Sequence, residues 1–196
     1  MHDDDHYVTA RDMAKISKAA LENETFRYVA CKPNYYIAPT NKDKHGKELW
    51  NHHKMVKRTM FNYDGVEGGK TGYTTKAGGT LVTFAKRGDQ ELIVVDLCAH
   101  GYELYEDTIK MLNYGFNNYK TIAPFKTMNT VLKDDTYGFL KTGNELSTYK
   151  IPLKHLNDVT VMLEKNQSAS KLTYKCKDNK YIISYDGKQI GSVKLH

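Results

Sequence analysis

The chain has 196 residues, 40% of them hydrophobic, and its 29 basic and 23 acidic side chains give a formal net charge of +6. That is enough apolar material for one large soluble domain, or for a medium and a small one, and no run is long enough to span a bilayer. The first residues do not read as a secretion signal, and no long internal repeat, low-complexity tract or basic-aromatic nucleic-acid module is present.

The charge is uneven. Residues 1–118 carry 16 basic and 16 acidic side chains, whereas residues 119–196 carry 13 and 7. A basic surface attracts anionic partners, but these lysines form no dense run, so a solvated lysine-rich face is the preferred reading. Cys31, Cys98 and Cys176 are odd in number and lack zinc spacing. They read as isolated thiols, with Cys98 buried at a strand end.

Taken in order, the first feature is His2-Asp3-Asp4-Asp5-His6. Imidazoles and carboxylates suit a metal, yet the stretch adjoins a helix start whose positive dipole end favours acids, and no metal is assigned to it. Thr9 and Asp12 form a capping pair. Ala10, Met13, Ile16 and Ala20 recur on one face, so a helix runs to about Glu22. From Thr25 to Tyr63, Pro33, Pro39 and Gly46 punctuate short apolar stretches. This predicts a strand or two around Tyr35-Tyr36-Ile37, a loop near residues 41–47 and a short helix near residues 49–57. His52 and His53 point in different directions there and read as one packed and one exposed histidine, not as a shared catalytic base.

The stretch from Gly65 to Thr80 carries the chemistry. Glycines surround Lys70-Thr71-Gly72, and Leu81, Thr83 and Ala85 then alternate with Val82, Phe84 and Lys86 as in a half-buried strand. The triplet is therefore placed on or beside an edge strand. Gly68, Gly69 and Gly72 would let an extended ligand lie close to the backbone. Lys70 then offers a point charge, and Thr71 a hydroxyl, to an anionic ligand end, while Glu67 reads as a solvated edge residue. Residues 80–86 and 91–97 make a hairpin across Arg87-Gly88-Asp89-Gln90. Leu92-Ile93-Val94-Val95 lacks polar alternation and should be covered on both faces. Tyr105, Ile109, Leu112 and Phe116 predict a helix over 103–114 with Gly115 as its stop. Beyond Tyr119, short alternations separated by turns, among them 159–163, 172–174 and 181–185, predict a separate small all-β domain.

The segment Gly68 to Gly78, together with Trp50-Asn51-His52-His53-Lys54-Met55-Val56, resembles the Lys-Thr-Gly region of the serine D-alanyl-D-alanine carboxypeptidases, the low-molecular-mass penicillin-binding proteins. His6 to Ala14 and Leu112 to Phe116 extend the likeness in order from about His2 to Tyr119. The resemblance implies an α+β fold: part of a transpeptidase-like catalytic domain over residues 1–118, an antiparallel sheet with covering helices, followed by a small basic β domain over 119–196. It also implies that Lys70, Thr71 and Gly72 bind the C-terminal carboxylate of a D-alanyl-D-alanine stem peptide or the equivalent group of a β-lactam. The backbone N–H of Tyr73 would be one oxyanion donor. No cofactor and no metal are implied, and the location is extracytoplasmic, at the bacterial envelope.

The family's Ser-x-x-Lys nucleophile and Ser-x-Asn motif are expected ahead of the Lys-Thr-Gly strand. Here Ser147-Thr148-Tyr149-Lys150 and Ser168-Ala169-Ser170-Lys171 both follow it, no Ser-x-Asn occurs, and Lys141-Thr142-Gly143 lacks matching surroundings. Leu104 stands near where many relatives place an arginine that assists carboxylate binding. The expectation is a C-terminal portion of such an enzyme, inactive alone, with its nucleophile on a missing N-terminal half that could act in trans. The apolar faces of 92–97 and 104–116 would be partly uncovered. The alternative is a non-catalytic module whose basic β domain binds an anionic wall polymer or membrane surface. Nucleic acid ranks below both.

Overall fold

The structure is a computed structural model. It describes residues 3, 5–57, 60–124, 130–132, 137–142, 145–146, 151–152, 159–178 and 180–194, with backbone alone for the strands between 130 and 152. The chain folds as two compact units, Met1–Asn117 and Asn118–His196.

The first unit is built on a three-stranded antiparallel sheet, β3 (Val66–Thr74), β4 (Gly78–Arg87) and β5 (Gln90–Ala99), in that order. Opposed residues in an antiparallel pair share a face, so the register fixes two surfaces. Lys70, Val82 and Val95 lie on one; Thr71, Leu81 and Asp96 lie on the other.

The Lys70 face is covered by α1 (Ala10–Leu21) and α2 (Glu24–Ala30). Leu21, Val82 and Phe84 form a buried cluster there, flanked by Met13, Ala30, Ile93 and Val95. Thr9 caps α1, its Oγ1 accepting from the Asp12 amide at 3.1 Å and donating to the Asp12 carboxylate at 2.6 Å, which holds that carboxyl below its ordinary pKa. The buried side of α1 is set by Ser17 and Leu21, with Met13 one turn earlier, while Ile16 of the predicted stripe is 57% exposed. The i, i+4 row 13, 17, 21 faces the sheet, and Ile16 lies off it.

The Thr71 face is covered by α3 (Glu103–Asn118), which buries Leu104, Tyr105, Leu112 and Phe116 with Leu81, Ala85 and Val94. The helix runs through Gly115. A Cβ there would stand 2.6 Å from the Leu92 side chain, so this glycine permits close helix-sheet packing and does not end the helix. β5 is thus packed on both sides. Within the stretches expected to be partly uncovered, Met111 and Tyr114 of α3 are exposed; exposed apolar residues also include Ile16, Phe26, Tyr28 and Val29 on the other helices, and Tyr35, Tyr36, Ile37, Leu49 and Trp50 on the hairpin β1 (Asn34–Ile37) and β2 (Lys47–Trp50). The helix predicted near 49–57 starts as strand instead, because Leu49 and Trp50 pair with Tyr35 and Asn34. Only one turn survives, where the amides of Val56 and Lys57 donate to the His53 carbonyl.

The second unit pairs β6 (Tyr119–Ile122) with β11 (Val161–Glu164) and arranges β12 (Leu172–Lys177), β13 (Lys180–Tyr185) and β14 (Lys188–Lys194) as an antiparallel meander. Between them, β7 (Thr130–Leu132), β8 (Tyr137–Thr142), β9 (Glu145–Leu146) and β10 (Ile151–Pro152) form a further small sheet. Val161, Leu163, Leu172, Tyr181 and Ile183, from β11, β12 and β13, form a buried core in this unit.

Candidate active site

Among the described residues β3 pairs only with β4, so its other margin, along Gly68 to Thr74, has no strand partner. Lys70 is exposed there, its Nζ donating to the Thr71 carbonyl. Thr71 is half-buried and points to the opposite face. A ligand that touches both must lie in the plane of the sheet, along the free margin. Such a ligand would also meet the bare backbone at Gly72, where a Cβ would stand 2.5 Å from Thr80 Oγ1. Tyr73 is 76% exposed.

Two features beneath the margin fix its position; the sequence reading expected one packed histidine but not its place under Gly69, and it did not find the second feature. The first is His53, fully buried on the Thr71 face. Its Nε2 lies 2.9 Å from Thr83 Oγ1 and its ring meets Tyr105 edge-on at 5.9 Å between centroids. A Cβ on Gly69 would come within 2.6 Å of this ring and 2.2 Å of the Val82 carbonyl oxygen, so Gly69 is the gap into which His53 fits. Among the described residues His53 Nδ1 has no partner. Burial lowers the His53 pKa to about 4, the nearby Val82 carbonyl opposing the shift, and a neutral ring protonated on Nε2 leaves only a lone pair unmatched. His52 is exposed, so the pair divides as expected and offers no base at the margin.

The second feature is Arg27 of α2. Its guanidinium reaches Glu67 on β3 at 2.9 Å and, through its other terminal nitrogen, Glu91 on β5, so it spans the sheet from above. The hydrogen bond that Arg27 donates to Glu91 raises the Arg27 pKa further. Glu67 is therefore an ion-pair partner and not a freely solvated group. Cys31 lies under Gly68, where burial and the Glu67 charge push its thiol upward.

Next to Gly72, a groove of about 500 Å³ opens on the Lys70 face between the β3–β4 turn and the segment leading into α1. Tyr73, Thr74, Thr80 and Leu97 line one side, and Asp3, His6 and Tyr7 line the other; Lys70 sits beside the groove without lining it. Cys98, expected to be buried, is exposed at the end of β5. It borders the groove with φ 64, a left-handed backbone for a non-glycine residue.

The other sequence candidates belong to the second unit. Ser168 caps a short 3-10 turn and bonds Ser170 Oγ at 2.8 Å, while Lys171 pairs with Asp186 at 3.3 Å, so that Ser-x-x-Lys string holds a turn and not a nucleophile with its base. Ser147 to Lys150 and Gly143 lie outside the described residues. Among the described residues no group of three or more His, Cys, Asp or Glu is arranged for a metal.

An antiparallel sheet with helices on both faces and a Lys-Thr-Gly strand at its open margin defines a fold of the penicillin-binding, transpeptidase-like class. The solved penicillin-binding protein 5 of Haemophilus influenzae matches it with a TM-score of 0.64 at 23% identity, covering 100% of this chain and 57% of that one. The S216A mutant of the Streptomyces K15 DD-transpeptidase matches at 0.53 and 29%, covering 59% and 45%. The family model for D-alanyl-D-alanine carboxypeptidase (Peptidase_S11) matches residues 1–101, and the chain belongs to that family. The Bacillus subtilis carboxypeptidase DacF is 29% identical over 97% of this chain and 46% of its own length, and Escherichia coli DacC is 32% identical over 61% and 28%. The chain thus spans less than half the length of these curated relatives.

Proposed function

We propose that the free margin of β3 holds the C-terminal carboxylate of a D-alanyl-D-alanine stem peptide, or the equivalent group of a β-lactam, for removal of the terminal D-alanine through an acyl-serine at the bacterial envelope. One observation carries this: an exposed lysine beside a threonine hydroxyl on an unpaired, glycine-rich strand margin. Lys70 supplies the charge, Thr71 a hydroxyl and Gly72 the room for close approach. Because Lys70 is a point charge and Leu104 offers none, carboxylate grip rests mainly on this one ammonium. The Tyr73 N–H donates to the oxyanion that forms when the scissile carbonyl is attacked.

The attacking serine is proposed to lie on polypeptide other than these residues. The sole serine ahead of Lys70 is Ser17, buried in α1 at 6% exposure and followed at the Lys position by Ala20. Incubation with a fluorescent penicillin should therefore leave the 196-residue chain unlabelled, and an acylated serine found in it by mass spectrometry would refute this assignment.

A second reading has its own support in the other unit. Lys177 on β12 lies directly opposite Lys180 on β13, so two lysines face each other across this pair of strands. Like charges directly opposed are destabilising, and an anionic polymer would relieve them. Retention on wall preparations should fall steeply between low and physiological salt; binding that ignores salt would exclude this role.

A further inference from the structure

The hairpin of β1 and β2 has no role at the β3 margin, and every residue of both its strands is exposed. A two-stranded hairpin with nothing packed on it is at best marginally stable in water. Yet its base is tied down. The Asn51 amide donates to the Pro33 carbonyl, and the Asn51 side-chain Nδ2 donates to the carbonyls of Ala30 and Lys32. The far end is a folded turn, where Thr40 Oγ1 accepts from the amides of Lys42 and Asp43. The result is an ordered finger with two bare faces.

The faces differ. Asn34, Tyr36, Glu48 and Trp50 share one, and its polar groups are satisfied within the finger: Asn34 donates to Glu48 at 3.0 Å and the Tyr36 hydroxyl to the His45 carbonyl. Tyr35, Ile37 and Leu49 share the other with Lys47, which lies opposite Ile37 next to the turn that carries Lys42 and Lys44. Among the described residues no ion pair takes up Lys42, Lys44 or Lys47. Charge gathers in the same region. Residues 32–57 carry 6 basic and 2 acidic side chains, whereas the rest of residues 1–118 carry 10 and 14. An apolar face with one aromatic ring, bordered by lysines, is complementary to an anionic lipid surface: the apolar groups enter the headgroup boundary while the lysine stems reach lipid phosphates. A soluble polyanion would answer the lysines and leave the apolar face in water.

We propose that the β1–β2 finger docks on an anionic lipid bilayer, laying Tyr35, Ile37 and Leu49 against the headgroup boundary, with Lys42, Lys44 and Lys47 on lipid phosphates. This surface is separate from the Lys70 margin and does not depend on how that margin is read.

Cosedimentation of the full chain with phosphatidylcholine vesicles, with and without about one-third phosphatidylglycerol, tests the docking. Binding should require the anionic lipid. Each lysine at such a surface contributes about fivefold, so Lys42→Gln, Lys44→Gln and Lys47→Gln combined should weaken binding about a hundredfold. Tyr35→Ser with Leu49→Ser should weaken it by about tenfold or more through lost apolar contact. The lysine replacements remove no apolar packing, so their effect can be read even where the Tyr35 and Leu49 replacements loosen the hairpin. Failure of the parent chain to sediment with anionic vesicles overturns the proposal. So does binding that survives both sets of finger replacements but is lost in Lys177→Gln with Lys180→Gln, which would place the lipid contact on the second unit. Binding that responds to the lysine replacements and ignores those at Tyr35 and Leu49 overturns it as well, because it would mark a site for polyanions in general.

Discussion

Gly69→Ala should unfold or severely weaken the first unit. The added methyl would stand 2.2 Å from the Val82 carbonyl oxygen and 2.6 Å from the His53 ring. The first of these is backbone of the central strand and cannot turn aside. Replacing glycine by alanine ordinarily stabilises by about 0.4–1 kcal/mol through the unfolded chain. Overpacking against a fixed backbone costs about 1–3 kcal/mol or more, and this contact belongs at the upper end, so the steric effect wins. Trp50, the single tryptophan, reports on this unit during urea unfolding. Gly191→Ala, with nothing within 4 Å of the added atom, should shift stability by less than about 0.5 kcal/mol. A Gly69→Ala protein as stable as the parent would show that His53 does not occupy the gap described.

Acidification should weaken the same unit through His53. Its pKa is about 4 in the fold against an ordinary 6.5, so between these values the unfolded chain binds the extra proton. The stabilising effect of the neutral buried ring is fully present above pH 6.5, declines as pH falls and is gone by about pH 4, a loss of about 3 kcal/mol. Asp96 works in the opposite sense, because burial raises its pKa and protonation relieves it. Comparison with His53→Gln isolates the histidine: the parent should lose stability faster than the variant between pH 6.5 and 4. Parallel pH profiles would mean that the ring is charged or solvated in the fold.

The Lys-Thr-Gly strand was legible in the sequence because it relies on strand alternation and glycine, both of which leave a local pattern. The edge placement of Lys70 and the helix capped by Thr9 follow from such local rules. What supports the strand was not legible. His53 under Gly69 and Arg27 between Glu67 and Glu91 join residues 16 to 64 positions apart, and no periodicity announces such pairings. Gly115 misled for a related reason: glycine reads as a helix stop, but contact with Leu92, more than twenty residues away, overrode that local preference. The run Leu49-Trp50 likewise took its strand form from its partners Tyr35 and Asn34. The groove beside Gly72 is assembled from the segment before α1 and from two strands distant in sequence, so it could be found only in the fold.

The central claim is that Lys70 grips a terminal carboxylate, and titration of the chain with a D-alanyl-D-alanine peptide in its free-acid and C-terminal amide forms tests it most directly. A charge-assisted hydrogen bond of about 1.5–3 kcal/mol, taken at its lower end for an exposed ammonium, predicts that the acid binds about tenfold more tightly than the amide. Lys70→Met should bring the two to the same weak affinity. Acid and amide bound alike by the unaltered chain, or a preference for the acid that survives Lys70→Met, would contradict the account.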